Sequence, residues 1–108
     1  MLEEIHTASE LLMKAAVTGG TSRLTYAELV GRAHAQGVLA VSWLSVNDIP
    51  RGERKSARMD RAGELLISLK DVRRSVRHDG SSGAKEWLDA NFWEAVEVLE
   101  NLAVAARD

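Results

Sequence analysis

The chain has 108 residues, 14 basic against 16 acidic side chains, a formal net charge of −2 and no cysteine. The length suits one domain over 1–108 that can bury a core without staples. Lack of cysteine excludes disulfides, thiolate-bound zinc and thiol catalysis. No apolar run approaches the ~18 residues of a membrane span. The opening Met1-Leu2-Glu3-Glu4 is acidic and lacks a secretory pattern, so a cytoplasmic protein is expected. The Ala-rich, Arg-over-Lys usage suits a bacterial or phage protein.

The first predicted helix runs from Leu2 or Thr7 to Thr18. Glu3 and Glu4 favour the earlier start at the positive end of the helix dipole. Thr7 and Glu10 have capping-box spacing and favour the later one. Ile5, Ala8, Leu12 and Ala15 align on one face with Leu11 beside them, and Gly19-Gly20 ends the helix. Thr25-Tyr26-Ala27-Glu28 is the sharpest local signal. Thr25 can cap the next helix, Glu28 can reach back, and Leu24 can staple to Leu29. A helix therefore starts at Tyr26, buries Leu29, Val30 and Ala33, and stops at Gly37. The run Val38 to Val46 is apolar enough for a buried helix or a buried strand. No second strand-like run exists to pair with it, so a helix is expected. Asn47 to Gly52, with the only proline, reads as a turn.

The core is expected in a long hairpin over 53–107. Ala62, Leu65, Leu69, Val72 and Val76 have 3/4 spacing on one side of a helix, widened by Leu66 and Ile67. Gly63 in that helix is either a tolerated defect or a close crossing point. Asp79 to Gly83 breaks the helix, with Ser82 as a candidate cap. Ala84, Leu88, Phe92, Ala95, Leu99, Leu102 and Ala106 give a second seam, broadened by Trp87, Trp93, Val96 and Ala103. The short connection predicts antiparallel neighbours. The expected fold is all-α, with about five helices, three short ones packed on this long antiparallel hairpin. A continuous seam can also pair between chains, so a homodimer is a further expectation.

Charge is distributed unevenly. Arg51 to His78 holds nine basic residues against four acids, while the last helix is acidic. Arg51/Lys55, Arg54/Arg58, Lys70/Arg74 and Arg73/Arg77 are like-charge pairs four apart, which mildly destabilise a helix. Either the acidic last helix offsets them or an external polyanion or acidic protein surface does. Trp87 and Trp93 lie on different sides of their helix, so one can be exposed at a partner interface.

Nucleophile-elbow, phosphate-loop and zinc-helix motifs are absent. The three histidines are far apart, lack ligand spacing and are expected at the surface or rim. No catalytic, cofactor or metal residues are assigned. Leu24 to Leu29 resembles the opening of a helix-turn-helix positioning helix, and Trp43 falls where a recognition helix buries a large residue. That resemblance implies DNA binding through Tyr26 to Val46. However, Val38 to Val46 offers only Ser42 and Ser45 as polar groups, without the Arg, Lys, Asn or Gln that read base edges. The first expectation is therefore a small non-catalytic regulatory protein that binds a protein partner, of inhibitor, anti-activator, antitoxin or phage-borne antagonist type. Its contact residues would be Arg51, Arg54, Lys55, Arg58, Arg61, Arg74, Arg77 and Trp93. The alternative is a helix-turn-helix transcription regulator.

Overall fold

The computed structural model describes residues 1–19, 23–41, 49–79 and 83–107. They form α1 (Leu2–Thr18), α2 (Tyr26–Ala35), a 3-10 turn (Arg51–Glu53), α3 (Arg54–Asp79) and α4 (Gly83–Arg107), with no strand among the described residues. The class is all-α as expected, with four α-helices among the described residues where about five were expected.

One expected helix, over Val38–Val46, is not present in its described part, Val38–Val41. Val38 to Val41 is not helical, and the rest of the run, Trp43 included, lies outside the described residues. The cause is local. Gly37 takes a left-handed φ of 72°. Its N–H donates to His34 O at 3.0 Å, and Val38 N–H donates to Ala33 O at 3.1 Å. These two bonds form the paired C-terminal cap that closes a helix and sends the chain away from its axis. Leu39 and Val41 are then fully buried. The Ala40 carbonyl between them accepts Asn101 Nδ2 at 2.9 Å, so its polarity is satisfied without a ladder.

α2 opens as its sequence predicts. Glu28 N–H donates to Thr25 Oγ1 at 3.2 Å, and Thr25 N–H donates to Glu28 Oε1 at 3.1 Å. The hydrogen bonds to Thr25, backbone first, hold the Glu28 carboxyl below its ordinary value. α1 takes the earlier of its two starts, because Leu2, Ile5 and His6 are buried in its first turns. Its inner face is rotated from the expected one. Ser9 and Met13 are fully buried, and Leu11 is exposed.

α3 and α4 are antiparallel. Trp87 Nε1 donates to Ser68 Oγ at 2.8 Å, and Arg61 reaches Asn91 and Glu94 two turns further along. On α3, Ala62, Leu65, Leu66 and Leu69 are fully buried, while Val72 packs half-buried at the edge of the core. On α4 the buried line is Trp87, Ala95, Val98 and Leu102, with Ala84, Leu88, Phe92 and Leu99 partly buried beside it. Ala95 and Leu102 of the expected seam are therefore innermost, while its other members Ala84, Leu88, Phe92 and Leu99 lie at the border. α1 packs on all three other helices, most extensively on α4, so it completes the core and is more than a cover on a finished hairpin. Ser82, the expected cap of α4, lies outside the described residues.

One histidine contradicts expectation. His6 is buried, 5% exposed, and stacks on Tyr26 at a centroid separation of 4.3 Å. Tyr26 Oη and Ser9 Oγ are 2.7 Å apart, and Ser9 Oγ donates to the His6 carbonyl at 2.8 Å. The tyrosine hydroxyl therefore donates to the serine. Burial pushes the Tyr26 hydroxyl up to about 12. Burial, aided by nearby Arg73, lowers the His6 imidazole from 6.5.

Three expected outcomes rest on these contacts and on the glycine backbone. The unfolded chain keeps a proton on His6 up to about pH 6.5, whereas the folded chain has already released it. Stability contributed by neutral His6 is therefore lost as pH falls from 6.5 through the lowered value. Urea midpoints measured across that window should drop for the parent chain and stay flatter for His6→Phe. Gly37→Ala should cost about 1 kcal/mol or more, because its left-handed backbone strains any side chain. Gly63→Ala should gain up to about 1 kcal/mol, since its new methyl would make only ordinary contacts with Val30 and His34.

Candidate functional site

Of the nine cations of the α3 segment, four are held in ion pairs, four border a cavity at the start of the helix, and Arg74 is exposed outside both groups. Arg61 is engaged. Its guanidinium grips Glu94 in two bonds, Nε to Oε2 at 2.9 Å and Nη2 to Oε1 at 2.7 Å, and Nη2 also reaches Asn91 Oδ1 at 3.0 Å. Arg73 Nε and Arg77 Nε bind opposite oxygens of Glu3 at 2.9 and 3.2 Å. Lys70 pairs with Asp71 at 3.5 Å. The acidic last helix therefore contributes Glu94 to this neutralisation, and the far end of α3 is clamped by α1. The hydrogen bond from Arg73 is the first cause of the lowered Glu3 carboxyl.

The start of α3 is different. Pro50 accepts Glu53 N–H at 2.9 Å, which winds the 3-10 turn that leads into the helix. Arg51, Arg54, Lys55 and Arg58 then follow at spacings of three, one and three, so all four share one side. Together they border a cavity of about 460 Å³, with Val41, Ala40 and Met59 as its apolar wall and Asn101 of α4 opposite. Arg51 and Lys55 are exposed, and Arg54 and Arg58 are half-buried. Arg54 Nε donates to Ile49 O at 3.2 Å. Arg58 Nε is shielded from solvent and has no hydrogen-bond partner among the described residues. A buried donor on a charged group left unpaired is costly. Four cations around an apolar-walled hollow make a receptor for anionic groups: carboxylates or phosphates bind a guanidinium in paired hydrogen bonds and raise no desolvated charge of their own kind.

The structure thus brings together Arg51, Arg54, Lys55 and Arg58. It diverts Arg61 and Arg77 into ion pairs, and it leaves Arg74 exposed and outside the cavity. Trp93 is 80% exposed and meets Phe92 edge-on at 5.1 Å, whereas Trp87 is buried. Trp93 does not border the cavity. Sequence reasoning missed Ala40, Met59 and Asn101. No periodic signal marks them, because they converge through the irregular segment after Gly37. Among the described residues no group of three His, Asp or Glu side chains could hold a metal ion, and no helix is long and apolar enough to cross a membrane. No protein-family model matches the chain, and no curated protein or solved structure is significantly similar to it.

Stability measurements should separate the two kinds of arginine. Arg61→Ala leaves Glu94 and Asn91 without their donor and should cost about 1–3 kcal/mol in urea unfolding. Arg58→Met keeps the aliphatic packing and removes an unpaired donor from a like-charge cluster. It should be neutral or stabilising, within about 1 kcal/mol.

Proposed function

We propose that this chain is a small non-catalytic regulatory protein that acts by binding a protein partner, with an acidic segment of that partner seated in the cavity at the start of α3. One observation carries the reading. Arg51, Lys55 and Arg58, which have no ion pair among the described residues, border one hollow together with Arg54, and Arg58 holds a buried donor with no hydrogen-bond partner among the described residues. Arg51 and Lys55 on the rim steer and anchor carboxylates, and the wall of Val41 and Met59 takes an apolar side chain between them. The exposed Trp93 is a second contact point, since large aromatic side chains dominate the energetics of protein interfaces. Regulation follows by occlusion: a partner surface covered by this face is closed to its own ligand. An inhibitor, anti-activator, antitoxin or phage-borne antagonist can act in this way.

The competing reading, a helix-turn-helix regulator using Tyr26 to Val46, draws on the same cations as phosphate contacts. It gets no support from Val38–Val41, which should open its recognition helix and is not helical.

A charge-reversal experiment tests the proposal. Partner captured by the parent chain from its native host should be lost with Arg51→Glu plus Lys55→Glu, while both proteins unfold at similar urea concentrations. In parallel, duplex DNA should not bind at low salt. DNA binding that falls about a hundredfold from ~50 to ~200 mM salt, as four phosphate contacts require, would instead establish the DNA reading.

A further inference from the structure

A second hollow, of about 630 Å³, lies between α2 and α3 and shares no residue with the basic one. Two helix-interior glycines border it, Gly31 on α2 and Gly63 on α3. Neither has a positive φ, so the backbone does not call for glycine at either place. Packing does not call for it either. A methyl on Gly31 would meet nothing within 4 Å, and one on Gly63 would make ordinary contacts with His34 Cδ2 at 3.7 Å and Val30 Cγ1 at 3.9 Å. Alanine at each would be about 1 kcal/mol better for its helix. What Gly31 preserves is open space, while Gly63 is buried against α2.

Charge defines what the space suits. Asp60, Glu64 and Asp71, three of the four acids between Arg51 and His78, line this hollow, and no lysine or arginine does. They lie on one face of α3 along about 16 Å, close to three helical turns. His34 Nε2 meets Asp60 Oδ1 at 2.7 Å and closes one end. Lys70 pairs with Asp71 beside it on the same helix, and Glu64 has no ion pair among the described residues. The floor is apolar, made by Val30 and Ile67. The Ser68 hydroxyl at its edge is already used, donating to Leu65 O at 2.7 Å and accepting from Trp87. A small ligand needs enclosing walls, whereas this hollow is a groove open to solvent. Its length, apolar floor and negative wall match a rod with one apolar face and a cationic edge.

We propose that the α2–α3 groove docks a cationic amphipathic helix of a partner protein. The helix lays its apolar face on Val30 and Ile67, approaches closely over Gly31, and sets Lys or Arg side chains against Asp60, Glu64 and Asp71. The basic cavity takes the opposite charge, so the two sites can fail separately.

The test is an amide-resolved NMR titration of the full chain with an amphipathic helical peptide of leucine and lysine, and with its leucine–glutamate counterpart. The lysine peptide should bind saturably, with shifts gathered at Gly31, Gly63, Glu64 and Ile67, and the glutamate peptide should not. Gly31→Leu fills the groove without altering charge and should weaken binding at least about tenfold. Ala27→Leu on the same wall does the same should the first variant lose its fold. Glu64→Gln with Asp71→Asn should weaken binding several-fold, roughly, and flatten its salt dependence. Arg51→Glu with Lys55→Glu should not weaken it. Unchanged binding by both groove-filling variants, shifts centred elsewhere, or equal binding of the glutamate peptide would overturn the proposal. So would concentration-dependent shifts at the groove in the protein alone, which would make a second copy the occupant.

Discussion

A 26-residue helix rich in charge is held at the centre of this protein by a short apolar patch, and the rest of the molecule is arranged by that limit. Ala62, Leu65, Leu66 and Leu69 are fully buried and span about two turns of α3. Each leucine contributes roughly 1.5–3 kcal/mol by burial, as an upper bound. Because α1, α2 and α4 all contact α3, the patch is a broad arc and not a narrow stripe. Both ends of the helix extend past it with their charges. The C-terminal end is tied down by Glu3 of α1, and the N-terminal end keeps its cations around a hollow.

Much of this was legible in the sequence where the signal is local. The Thr25–Glu28 box, the glycine stop at Gly37 and the 3/4 spacing on α3 each specify backbone geometry within a few residues, and each formed as expected. Three readings failed, wholly or in part, where the decision belongs to tertiary packing. Val38–Val41 has no pairing strand, which argued for helix. A single Asn101 side chain supplies the polar partner that an isolated buried segment needs. The α4 seam was placed only in part: Ala95 and Leu102 are fully buried as expected, but Trp87 was read as broadening the seam and Val98 was not assigned to it, and the wide arc presented by α1 and α3 draws both inward. His6 was placed outside because an imidazole is usually wet, but a stacking tyrosine and a serine bridge make its burial tolerable.

The candidate site was half legible for a related reason. Sequence spacing identifies which cations share a helix side, and Arg51, Arg54, Lys55 and Arg58 of the expected contact residues border one cavity. Spacing cannot show which are already answered from another helix. Arg61 and Arg77 have the same spacing as their neighbours, yet Glu94 and Glu3 hold them, from α4 and from the first turn of α1. The opposite oversight concerns the acids. Asp60, Glu64 and Asp71 read as minor relief in a basic helix, while in three dimensions they share the α2 side with the two helix-interior glycines.

The overhang at the start of α3 has one more consequence. Between Arg51 and Asp60 no residue is fully buried, and Arg51, Lys55 and Ser56 are exposed, so these outward positions can be exchanged while the bundle behind them stands unchanged. Such a segment is a detachable handle: the same scaffold could be turned toward a new target by exchanging a few outward letters, with no repacking of its interior.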